Sequence, residues 1–185
     1  MNNNNLVVRI TSDTTLIQNI FSKLKEPQYQ IPKEYAALIK QFGGISSSEK
    51  GVLISKVTTP EDYQMQMKLL SGVQHYMDRI HDITTDLYVL HSRWMELHNQ
   101  ASRVILMTYF DEINLLKEGV RKSVMAVALQ PVQGGLDKIQ SLIDRGESTY
   151  KHLSATNWNV KEGVGIIKEY LSLLKYGTSV PDTTV

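Results

Sequence analysis

The stretch Leu69–Val104, LLSGVQHYMDRIHDITTDLYVLHSRWMELHNQASRV, decides how this chain folds. Its apolar positions run Leu69, Val73, Tyr76, Ile80, Ile83, Leu87, Leu90, Trp94, Leu97, Ala101 and Val104, in alternating steps of four and three. That is a heptad seam of period 3.5. A straight α-helix drifts by about 20° per heptad away from such a line, so an uninterrupted seam predicts a helical partner lying lengthwise on it. The seam is therefore the expected self-association surface.

Working outward, Thr59–Pro60–Glu61–Asp62 is a helix start. Threonine caps, proline occupies the first turn where its missing N–H costs nothing, and the two acids meet the positive end of the helix dipole. Neither Gly nor Pro occurs from Val73 to Glu118. Beyond Val104 the next heptad positions would be Thr108 and Asp111, so the phase slips, and a new register appears at Ile113, Leu116, Val120, Val124 and Val127. Two readings stay open: a continuous helix with a stutter, or a break near Thr108. Unbroken from Pro60 to Leu129, the helix would be on the order of 100 Å long, the length of a stalk, a hairpin arm or an oligomeric bundle.

The flanks are less regular. Asn2 to Asn5 read as a frayed terminus. Ser12 or Asp13 is placed to cap a short helix with Leu16, Ile17, Ile20, Phe21 and Leu24 on its apolar face. Pro27 and Pro32 bracket a loop; Pro32 suits the first position of a helix carrying Tyr35, Leu38, Ile39 and Phe42, which Gly43–Gly44 should end. Val52 to Val57 is either a short strand or one more helical turn. Pro131 and Gly134–Gly135 should stop the long helical region. An amphipathic helix marked by Leu136, Ile139, Leu142 and Ile143 then follows, with an extension past Gly146 to Leu153 left open, and a last one capped by Asn159 carries Val164, Ile167, Leu171 and Leu174. The expected organisation is a mixed or helical segment over 1–58, a long helical region over 59–130, a C-terminal helical pair over 131–177 and a loose tail over 178–185. The fold class is all-α, with a short strand possible only near the N-terminus.

Composition bounds the function. The 185 residues carry 20 basic and 19 acidic side chains, a formal charge of +1, which argues against a strongly basic nucleic-acid coat or a polybasic membrane binder. There are no cysteines, which excludes disulfides, thiol nucleophiles and thiolate-held metals. No run approaches the apolar length of a membrane span, and the start lacks signal-peptide character. The expectation is a soluble, intracellular protein, in the host cytoplasm if the chain is viral.

Chemistry-bearing patterns are sparse. His75, Asp78 and Asp82 share a helix face, as do His91 and His98, but the Glu-x-x-His pairs of helical metal sites are missing. These side chains read as solvated positions beside the seam, and no metal or cofactor is expected. Gly163–Val164–Gly165 followed by Lys168 lacks the spacing and the preceding strand of a phosphate loop; small residues there suit close helix packing. No nucleophile elbow appears, and Asp111–Glu112 reads as a solvated acidic pair. An enzyme is therefore not expected. Trp94, in register with the seam, reads as a packing anchor, with base stacking the other use of an exposed indole. Lys117, Arg121 and Lys122 form the densest basic cluster, with Arg103 and Lys138 as candidate neighbours; Lys117 and Arg121, four apart, share a face. Repeated around an oligomer, one such pair per subunit would make a basic belt.

The segment Leu90-His91-Ser92-Arg93-Trp94-Met95-Glu96-Leu97-His98 resembles the UvsY family of phage recombination mediators, in which a Ser-basic-Trp-aliphatic core sits in a long helix with a histidine shortly after. The resemblance covers about a third of the chain and has no counterpart over residues 1–58. It implies a small, all-helical, ring-forming protein that binds single-stranded DNA and helps load a recombinase. Lys117 and Arg121 fall about where that family carries its DNA-contacting pair. Two readings follow. One is a non-enzymatic, self-associating helical protein that mediates single-stranded nucleic-acid transactions through Lys117, Arg121, Lys122 and Arg103. The other is a structural or assembly subunit (a packaging-ring, virion or coiled-coil adaptor protein) whose partners are other helical proteins.

Overall fold

The structure is a computed structural model, and it describes residues 3–12, 17–48 and 60–177. All regular structure among these residues is helical: α1 (Asn3–Ser12), α2 (Ile17–Lys23), a single 3₁₀ turn at Pro27–Tyr29, α3 (Lys33–Ser48), α4 (Pro60–Thr108), α5 (Phe110–Asn114) and α6 (Glu118–Gly177). The all-α class holds. Val52 to Val57, the tail 178–185, Asp13 and Thr59 lie outside the described residues.

Of the two readings at the phase slip, the break is the one found. Helix α4 ends at Thr108, Tyr109 is non-helical, and the short α5 leads through Leu115–Lys117 into α6. The slip has a visible cause. Burial at the end of α4 steps through Leu97, Ala101 and Ile105 to Tyr109 just beyond it, each four apart, so it leaves the heptad line at Val104, which is only half-buried.

Two expected stops are corrected. Helix α6 runs through Pro131, Gly134 and Gly135 without interruption, so residues 131–177 are not a separate helical pair, and Asn159 lies in mid-helix rather than at a cap. Pro131 lies on the exposed side, where its missing N–H and its ring disturb the backbone without opening the core. The helix is carried across it by Ala128, Leu129, Val132, Leu136 and Ile139, each no more than 5% exposed. Burying such side chains stabilises by about 1.5–3 kcal/mol apiece for the larger ones, against about 3 kcal/mol for an interior proline. Helix α3 likewise continues through Gly43–Gly44 to Ser48. At the N-terminus, Asn3 to Asn5 belong to α1 rather than to a frayed end, and Ser12 ends that helix instead of capping the next. There Ser12 Oγ donates back to the carbonyls of Val8 and Arg9.

Contacts divide the chain into two compact units, each assembled from non-consecutive parts. The first comprises Met1–Tyr35 and Thr84–Asp144. Its core joins Ile10 of α1 and Ile17 of α2 to Ala101, Ile105 and Tyr109 of the α4 end, Ile113 of α5, and Val124, Ala128 and Leu129 of α6. Leu6, Val7 and Ile10 repeat at helical spacing, which is why α1 packs there. The Tyr109 hydroxyl donates to the Arg9 carbonyl at 3.4 Å, and the Arg9 guanidinium meets Glu112 at 3.3 Å.

The second unit comprises Ala36–Ile83 and Arg145–Val185. Here the first half of α4 and the last part of α6 run antiparallel: Gln74 pairs with Asn157 at 3.1 Å, and the His81 ring lies 5.9 Å from that of Tyr150, seven residues on along one helix and seven back along the other. Helix α3 docks through Ile39 and Phe42, whose ring sits 4.7 Å from Tyr76. The core is completed by Val73, Met77, Ile80, Ile83 and Leu153.

Candidate functional site

The seam finds its lengthwise partner inside the chain. Val73, Ile80, Ile83, Leu87, Leu90, Trp94, Leu97 and Ala101 are all buried in the single chain, Tyr76 and Val104 are half-buried, and the Leu69 side chain lies outside those described. Helix α6 covers the line within each unit. Two further positions on the buried line, Met77 and Ile105, fall off the strict heptad and were not expected from it.

The Leu90–His98 segment has a structural use that its residues explain. The Trp94 indole Nε1 donates to the Tyr29 carbonyl at 2.9 Å, and the Arg93 guanidinium donates to the Gln28 carbonyl at 3.3 Å, so α4 holds the 3₁₀ turn by its otherwise free backbone acceptors. Trp94 is only 9% exposed, and its ring lies directly on Gly135 of α6: a Cβ built at Gly135 would fall 1.8 Å from Trp94 Cζ3. This indole is a packing anchor and offers no face for stacking. One turn on, His98 Nδ1 is buried without a hydrogen-bond partner.

The basic residues gather at the turn between α4 and α6, in the first unit. Arg103 is exposed on the last turns of α4, Lys117 is exposed just before α6, and Arg121 and Lys122 lie in the first turns of α6. The backbone bond from the Arg121 N–H to the Lys117 carbonyl, 2.9 Å, stacks these two residues one turn apart. Lys122 is drawn to Glu118 at 2.7 Å, an exposed i,i+4 pair. Arg103, Lys117 and Arg121 have no carboxylate within salt-bridge distance among the described residues, and the Arg121 Nε is buried with no partner.

Sequence reading missed what surrounds them. Met107 and Leu115 are each 81% exposed and Phe110 is 62% exposed, with Leu106 beside them. The signal was available in the phase slip, because a register change with no compensating seam leaves apolar residues unpartnered. The turn thus combines cations with an exposed aromatic ring and flexible apolar side chains. Of the histidine-bearing faces, Asp78 accepts from Gln74 at 3.0 Å, and among the described residues no group of three or more His, Asp or Glu side chains is placed to hold a metal. No helix among the described residues is long and apolar enough to cross a membrane.

Fold and site together define an all-helical protein built on antiparallel segments of two long helices, with a basic and apolar turn end. Comparison with family models, with curated proteins and with solved structures finds no match for the chain.

Proposed function

We propose that the chain is a non-enzymatic helical protein that works as an oligomer and contacts single-stranded nucleic acid through the α4–α6 turn, in the manner of a recombination mediator. The observation that carries this reading is the company kept by Lys117 and Arg121: unpaired cations on one short stretch of chain with the exposed Phe110. Single-strand binding needs a cationic track and a ring on which a base stacks, the latter contributing about 1–3 kcal/mol per base. A chain of net charge +1 reaches useful affinity only by repeating such a patch in an oligomer, where linked contacts multiply. The resemblance of residues 90–98 to the UvsY family supports the same assignment, although Trp94 itself is buried and Phe110 takes the stacking role here.

The second reading, a structural or assembly subunit, is favoured by the aliphatic character of Leu106, Met107 and Leu115 and by the balanced charge. Titration of labelled single-stranded DNA at low and high salt separates the two. The first reading expects salt-sensitive binding at micromolar protein that Lys117→Glu with Arg121→Glu abolishes. Salt-insensitive or absent binding sinks it and leaves the assembly reading.

A further inference from the structure

Helix α6 changes character along its buried line. In the first unit the covered side chains are apolar: Val124, Ala128, Val132, Leu136, Ile139 and Ile143. In the second unit the line continues through Gly146, Thr149, Leu153, Thr156 and Asn157. From Gly146 to Asn157, Leu153 is the only apolar side chain that is buried. The first half of α4 does not share the change, since Val73, Met77, Ile80 and Ile83 are all buried there.

The buried polar groups do little to hold this stretch in place. Thr156 Oγ1 donates to the His152 carbonyl at 3.0 Å, a bond inside α6 that persists whether or not the helix is packed. Asn157, 6% exposed, reaches across to α4 and donates from Nδ2 to Gln74 Oε1 at 3.1 Å, but its Oδ1 is buried with no partner. A buried acceptor in that state has lost its water and gained nothing, and it recovers the water when the helix lifts away. Gln74 is exposed and donates to Asp78 at 3.0 Å, so it is solvated in either state. The first unit is held differently: there the Trp94 ring lies against Gly135 of α6. Opening free energies follow buried apolar contact, so the two parts of one helix differ in how firmly they are held.

We infer that α6 from Arg145 onward is a releasable strap, which lifts off α4 as one cooperative block while the part of α6 before it stays packed. Gly146, at the start of the block, weakens the helix where the two parts separate. Release bares the α4 line of Val73, Met77, Ile80 and Ile83, which the closed chain covers. The inference goes beyond the function proposed above and does not depend on nucleic acid.

Native-state hydrogen exchange of the full chain, read by mass spectrometry on peptides of α6, tests it. Amides from Thr149 to Leu171 should exchange through one shared opening, at least about tenfold more populated than the opening that releases Val124 to Ile143. Asn157→Leu removes the orphaned acceptor and leaves Gln74 to water. It should make that opening about tenfold rarer across the whole block, with exchange of Val124 to Ile143 unchanged. Leu153→Ala should make it at least about tenfold more frequent, again without moving the earlier half. Because Asn157→Leu is expected to tighten the packing, the test does not rest on a variant that loses its fold. Three results would overturn the inference. One is a single opening shared by both parts of α6. Another is protection that falls smoothly toward Gly177, the mark of ordinary fraying from the helix end. The third is an effect of either substitution confined to its own turn, or felt equally from Val124 to Ile143.

Discussion

Replacing Gly135 by alanine should destabilise the protein, while the same change at its neighbour Gly134 should stabilise it. At Gly134 an added Cβ meets nothing within 4 Å. Only helix propensity acts there, and alanine gains about 0.8–1 kcal/mol over glycine. At Gly135 the added Cβ would sit 1.8, 2.2 and 2.6 Å from Cζ3, Cη2 and Cε3 of Trp94. Carbon atoms need about 3.5–4 Å, so the ring would have to retreat by more than about an ångström. It is held from behind by its 2.9 Å hydrogen bond to the Tyr29 carbonyl, so retreat also stretches that bond. Overpacking costs about 1–3 kcal/mol and the bond about 0.5–1.5, against the propensity gain of about 1. The net expectation is a loss of about 1–3 kcal/mol. Trp94→Leu removes the obstructing ring, and in that background Gly135→Ala should turn stabilising, giving a coupling of about 2–4 kcal/mol between the two sites. Urea unfolding followed by far-ultraviolet circular dichroism measures all four corners of the cycle. Equal effects of alanine at 134 and 135, or no dependence on Trp94, would refute the packing of α6 on α4 at this level.

Two further outcomes follow from the same structure. Pro131→Ala should raise the melting temperature, by up to about 3 kcal/mol of stability, because the proline lies exposed within a continuous helix; a destabilised variant would mean that α6 is broken there after all. If Lys117 and Arg121 each neutralise a phosphate, charge removal at either should lower the salt slope of single-stranded DNA binding by about 0.7 per contact, with an unchanged slope counting against that residue.

What could be read from the chain alone divides along physical lines. The seam was legible because burial repeats at fixed intervals, and eight of its positions are buried where the spacing put them. The helix end at Thr108 was legible as one of two outcomes, since loss of phase signals either a stutter or a break. Helix stops at Pro131, Gly134 and Gly135 were misread because breakers act locally. Their penalties, about 3 kcal/mol for proline and 1 for glycine, are outweighed by the continuous buried face from Val124 to Ile143. Gly135 is there as a slot for an indole forty-one positions earlier, a reason that no local rule contains. At the turn, the spacing of Lys117 and Arg121 revealed a shared face, but the exposure of Met107, Phe110 and Leu115 depends on where α4 ends. The α1 helix was hidden because four asparagines look like a frayed terminus, and what holds Ile10 is a core built from residues a hundred positions away.

The central claim is that this chain closes its own seam, with the first half of α4 and the last part of α6 antiparallel within one molecule. Because the chain has no cysteine, His81→Cys with Tyr150→Cys introduces the only two thiols, at positions whose native rings lie 5.9 Å apart. A short bis-maleimide added at low protein concentration should link them within a chain, giving a compact species at monomer mass on a denaturing gel. Linkage found only between chains, at twice that mass, would contradict the account.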